Sequence, residues 1–226
     1  GGEAYPFLKV EHRLLSCLET RSPLRPIAPR WGPEATGLSA DSPEVLVPQK
    51  GSARGRFRGV QIAVMASGTG TILQALIEAE LPIALVIADR ECAALMRAHE
   101  AQIGTSLVER GSFAGDFDRD AYTEQVISAL QAAGIDLVAM AGFGTILGPA
   151  IFDAFPDRII NTHPSLLPHF KGWHAVEDAL RAGVAETGCT VHIATTLVDE
   201  GPILAQEALP IYDGETVATL HERIKE

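Results

Sequence analysis

The stretch VQIAVMASGTGTILQALIEAE, Val60 to Glu80, decides the fold. Its first seven residues hold a short apolar run of the kind that makes a fully buried strand. A turn with two glycines follows, SGTGT from Ser67 to Thr71, and leads into the helical stretch TILQALIEAE. Strand, glycine turn and helix in direct succession open a βαβ unit, in which parallel strands are joined by a helical crossover.

Downstream, the alternation repeats. PIALVIA reads as a second strand, ECAALMRAHEAQ as a second helix and TSLVE as a weak third strand. DRDAYTEQVISALQAAG has apolar residues at helical spacing, with Asp118 as N-cap and Gly134 as the stop. LVAMA and RIINTH are further buried strands, AVEDALRAG a helix, and CTVHIAT and ILAQEALPI later strands. The expected architecture is α/β: a Rossmann-like, mostly parallel sheet with helices on both faces, and ligand sites at the carboxyl ends of its strands.

Upstream, the pattern breaks. Residues 1–58 hold seven of the 14 prolines and nine of the 18 Lys and Arg against six acidic residues, so this part carries +3 and the remainder −14. Pro removes donors and fixes φ, so the segment reads as an unstructured, Pro- and Arg-rich extension, with EHRLLSCLE as a candidate short helix. The second unit spans residues 59–226 and ends at HERIKE, inside a helical pattern.

A net charge of −11 speaks against binding a nucleic-acid backbone, which needs clustered Lys and Arg. It does not exclude one phosphate held by backbone N–H groups. Three widely spaced cysteines, Cys17, Cys92 and Cys189, offer neither a disulfide framework nor a metal pair, and no apolar run reaches the ~20 residues of a membrane span. A reducing cytoplasm is the expected location, with no metal and no membrane partner.

At the glycine turn, a helix N-terminus and a close backbone approach suit a phosphate, with Thr69 and Thr71 as extra hydroxyl donors. A dinucleotide fold is weaker, because position 73, where a third glycine would fall, is Leu. Asp89, after the second strand, reads first as a cap for the next helix and second as a ribose-binding acid.

The other constellation is IINTHPSLLP, Ile159 to Pro168. Residues i and i+2 of a strand face the same way, so Asn161 and His163 present an amide and an imidazole side by side, and Pro164 ends the ladder. An amide can donate to a developing oxyanion, and His exchanges protons near neutral pH. Asp199 in LVDEGPI is the candidate acid to orient the ring.

NTHPSLLPHFKGWHA, AGVAETGCTVH and LVDEGPILAQ, together with ASGTGT, AGFGTIL and TLHERIK, resemble the folate-dependent formyltransferase family from about Val60 to the end. The resemblance implies that residues 59–226 are a formyltransferase domain, cut short at its C-terminal helix. It implies transfer of the formyl group of 10-formyltetrahydrofolate, as co-substrate, to the amine of glycinamide ribonucleotide in purine synthesis. Asn161 would hold the formyl oxygen, His163 donate a proton, and Asp199 favour the charged imidazole. Gly70, Thr71 and the N–H of Ile72 would hold the ribonucleotide phosphate. The folate would meet Arg119, Gly144, Thr145, Ile146, Leu147 and Asn161. Relatives commonly carry Met-Arg at Gly144-Thr145, which leaves folate contacts here to the backbone. His174 and His192 match positions near the site, and a structural role for His192 fits its strand alternation equally well. Lys171 reads as a solvated cation.

The resemblance is compatible with a monomer or a homodimer. Runner-up readings are a formyltetrahydrofolate hydrolase or another amine formyltransferase of the same fold. Further behind stand a non-catalytic nucleotide-binding module and an NAD-dependent oxidoreductase.

Overall fold

A computed structural model describes residues 59–112 and 115–225. The expected extension over residues 1–58, with its candidate helix, lies outside the described residues. Seven strands form one sheet: β1 (Ile62–Ala66), β2 (Ile83–Ala88), β3 (Gly104–Leu107), β4 (Leu137–Met140), β5 (Ile159–His163), β6 (Glu186–Ile193) and β7 (Ile203–Pro210). Their order is β3-β2-β1-β4-β5-β6-β7. The pairs from β3 through β5 are parallel, whereas β5 with β6 and β6 with β7 are antiparallel. Chain order reverses between β1 and β4, so the crevice outside their carboxyl ends is where an open α/β sheet takes its ligand.

Six helices complete the fold among the described residues: α1 (Thr71–Glu78), α2 (Ala93–Glu100), α3 (Arg119–Ala132), α4 (Ala150–Ala154), α5 (Ala175–Ala182) and α6 (Val217–Lys225). β1 is buried at all five positions, as a strand covered on both faces must be. Ala63 and Met65 face one core with Val126 and Leu130 of α3 and Ile151 of α4. Ile62 and Val64 face the other with Leu73 and Leu76 of α1 and Ala94 and Ala98 of α2. A third cluster joins α5 and α6 through Val176, Leu220 and Ile224.

The helix boundaries follow their caps. Asp118 accepts the Ala121 N–H at 2.9 Å and starts α3, and Gly134, at φ 64°, takes the left-handed turn after it. Gly183 ends α5 in the same conformation. Two expectations need correction. The short helix α4 was not foreseen. Asp89 caps nothing: α2 begins after Cys92 without a side-chain cap, three residues beyond Asp89.

Candidate active site

Sheet register sets the spacing of the site. Met65 of β1 pairs with Met140 of β4, Met140 with Asn161 of β5, and Asn161 with His192 of β6. These residues form one row across the sheet. Neighbouring strands are ~4.8 Å apart, so the two spacings from β1 across β4 to β5 put Asn161 roughly 10 Å from the end of β1.

At the β1 end, Gly70 is the N-cap of α1 in the left-handed conformation, φ 69°. A Cβ there would lie 2.8 Å from Ala94 Cα and 2.9 Å from Ala94 Cβ, so the position demands glycine twice over. Helix α2 closes on the turn: Ala94 donates to Gly68 O at 3.1 Å and Arg97 Nε to Thr69 O at 2.8 Å. No described side chain caps α1, which leaves the backbone N–H groups of Thr71 and Ile72 facing the crevice end of the helix.

At the β5 end, the structure brings Asn161, His163 and Asp199 together. His163 and Asp199 are both buried, with Nδ1 3.3 Å from Asp199 Oδ2. His163 Nε2 lies 2.8 Å from Phe170 O. A carbonyl only accepts, so Nε2 carries a hydrogen in every charge state, and the exchangeable proton of this ring belongs to Nδ1. Asp199 stands in the excursion between β6 and β7, at φ 56°, and accepts the Gly172 N–H at 2.8 Å. Burial raises its pKa, but the His192 ring, the Gly172 N–H and the charge of His163 outweigh that and hold it below the ordinary carboxylate value.

His192, 1% exposed, belongs to this cluster. Its Nδ1 donates to Ile193 O at 3.0 Å, leaving Nε2 between Asn161 Nδ2 at 3.1 Å and Asp199 Oδ1 at 3.5 Å. One ring nitrogen serves one of these at a time. As a donor, Nε2 serves Asp199 Oδ1; as an acceptor, it takes one Asn161 amide hydrogen and leaves the other directed at Asp199 Oδ1, 3.5 Å away. Alternation predicts a polar face at His192, and the face is polar, but the 194–202 excursion folds over it.

The loop after β4 carries the remaining expected residues. Ser67 Oγ accepts the Gly144 N–H at 2.7 Å, and the buried Thr145 donates to Asp89 Oδ2 at 2.7 Å. The hydroxyl hydrogen of Thr145 is therefore committed to Asp89, and the residue is 1% exposed. Ile146 is exposed and Leu147 is buried in the core beside α3. A Cβ at Gly144 would sit 3.2 Å from Trp173 Cη2, so the missing side chain makes room for an indole that is 76% exposed. Arg119 is exposed at the start of α3, one turn before Thr123, whose hydroxyl accepts the Gly148 N–H at 2.7 Å. His174 pairs with Glu177, and Lys171 with Glu200, both at the surface. Exposed Ile146, Trp173, Leu197 and Val198 supply apolar surface on three loops, after β4, after β5 and between β6 and β7. Such a rim fits a flat aromatic ligand better than a hydrated one.

A doubly covered α/β sheet with a glycine turn after β1 and a buried His–Asp pair at the end of β5 has the layout of an α/β enzyme whose site lies at the carboxyl ends of its strands. The chain belongs to the formyl transferase family, which matches residues 60–226. It is 44% identical over 170 residues to phosphoribosylglycinamide formyltransferase of Mycobacterium tuberculosis, covering 73% of this chain and 78% of that protein. It is 41% identical to the trifunctional purine biosynthetic protein adenosine-3 of Homo sapiens over 73% of this chain and 17% of that one. Among solved structures, glycinamide ribonucleotide transformylase 1 from Symbiobacterium toebii superposes with a TM-score of 0.69 at 39% identity, over 77% of this chain and 86% of its own.

Proposed function

We propose that the protein transfers the formyl group of 10-formyltetrahydrofolate to the primary amine of glycinamide ribonucleotide. One observation carries this most: the buried His163–Asp199 pair beside the Asn161 amide, which shares a sheet row with Met65, two residues before the glycine turn. The names of the relatives supply the substrates.

In this reading the amine nitrogen attacks the formyl carbon, the new C–N bond replaces the one to folate N10, the amine loses a proton and N10 gains one. The chain's residues handle charge and protons. Asn161 Nδ2 gives the formyl oxygen the hydrogen now directed at Asp199, whose 3.5 Å contact is at the weak end for a hydrogen bond. His163 Nδ1–H donates to the same oxygen, while Nε2, held by Phe170 O, keeps the ring in place. Asp199, anionic, stabilises the imidazolium and accepts the proton the amine releases. The ribonucleotide phosphate lies on the N–H groups of Thr71 and Ile72 with Gly70, and the folate along Gly144 to Leu147, with Arg119 toward its acidic end.

The same reading places the protein in the cytoplasm as a monomer or homodimer. Among the described residues no helix is long and apolar enough to cross a membrane. The test offers 10-formyltetrahydrofolate with and without glycinamide ribonucleotide and follows tetrahydrofolate release. Release that requires the amine supports the proposal. Equal release without it makes the protein a hydrolase, and none removes the catalytic reading.

A further inference from the structure

Asp89 takes no part in that chemistry, yet it is a carboxylate of 1% exposure at the end of β2, beside the glycine turn. Three side-chain hydrogen bonds converge on it. Arg90 donates from Nε to Oδ1 at 2.9 Å and from Nη2 to Oδ2 at 3.1 Å. The Thr145 hydroxyl donates to Oδ2 at 2.7 Å. Ser67 Oγ meanwhile accepts the Gly144 N–H. Because Gly144 and Thr145 are consecutive, the bonds run in series from Asp89 through Thr145 and Gly144 to Ser67. Ser67 opens the glycine turn, and Gly144-Thr145 opens the loop assigned to the folate.

We infer that Asp89 is a positioning residue that holds the phosphate turn and the folate loop in one fixed relation, so that neither subsite keeps its shape without the other. The substrate names rest on the proposed function; the coupling between the two loops does not. Ionised acceptors make the stronger hydrogen bonds, and an Asn amide at this position keeps one acceptor while bringing two donors against the donors of Arg90 and Thr145.

The experiment uses the full chain with Asp89→Asn and the milder Thr145→Val. Asp89→Asn is expected to raise KM for both substrates by about tenfold while kcat at saturation changes less than about threefold, a loss near 1.4 kcal/mol in binding each. Independently of activity, hydrogen exchange at residues 67–71 and 142–147 speeds up together in Asp89→Asn, with β5 and β6 unchanged. In Thr145→Val, faster exchange must reach residues 67–71, which are remote in sequence from the substitution. A shift in one KM alone, or exchange confined to 144–148 in Thr145→Val, overturns the inference. Should Asp89→Asn fail to fold, Thr145→Val decides. Should the parent chain lack amine-dependent turnover, the functional reading fails while the exchange result still decides the role of Asp89.

Discussion

What its two nitrogens touch decides which proton of His163 can move. Phe170 O fixes Nε2–H, so the proton donation proposed for this ring falls to Nδ1, 3.3 Å from Asp199. Removing the ring in His163→Ala is expected to cut kcat about 10²–10⁴-fold with the fold retained, by circular dichroism and steady-state assay. Asn161→Ala is expected to lose about 2.7–4 kcal/mol of transition-state stabilisation, the value of one oxyanion donor. Asp199 has a depressed pKa, so its contribution to stability is complete above the ordinary Asp value near 3.8 and is lost as pH falls through the lowered one. Melting curves between pH 6 and pH 2.5 should therefore fall less steeply below about pH 4 in Asp199→Asn than in the parent. Asn161, His163 and Asp199 were legible because two sit at i and i+2 of a strand and the third precedes a Gly-Pro turn. The role of His192 was not. Alternation identifies a polar face, but a polar face covered by a later excursion and one open to water look the same along the chain.

Among the elements, the glycine turn and the helix caps differ in what they demand. Gly70 needs both a left-handed backbone and the absence of a Cβ against Ala94, whereas Gly134 is left-handed at φ 64° with open space around it. Gly134→Ala should cost about 1 kcal/mol, and Gly70→Ala should cost more, since α2 must also move; denaturant midpoints separate the two. Asp118→Ala removes the cap of α3 and is expected to cost about 1 kcal/mol, read as a fall of a few degrees in Tm. The start and end of α3 were readable from Asp118 and Gly134. α4 was not, since five residues make little more than one turn and leave no period to detect. Asp89 was misread for a related reason. A cap is defined by its distance from the first helical residue, and the chain spends Arg90 and Glu91 before Cys92 takes that place.

Over the whole molecule, burial grades outward from β1. β1 is buried throughout, whereas β7, with one fully buried position of eight, alternates toward the surface. Amide exchange should be slowest in β1, β2 and β4 and clearly faster in β7. The parallel sheet and its two covered faces were predictable from strand-helix alternation and continuous apolar strands. The direction of β6 and β7 was not, because an antiparallel return depends on loop geometry, not on strand composition.

The order of the sheet has a consequence for how the protein is made. β1 holds β2 on one edge, but its other edge is filled by β4, which begins at Leu137, and Gln61 finds Asp136 only then. A chain emerging from the ribosome thus carries its fully buried first strand paired on one edge alone from the end of β2 at Ala88 until β4 begins at Leu137. Until β4 arrives, Ile62 to Ala66 offer an open backbone ladder to any other nascent strand nearby. Slower elongation between β2 and β4 is therefore expected to lower the yield of folded protein, read by comparing synonymous slow-codon and fast-codon versions of that stretch.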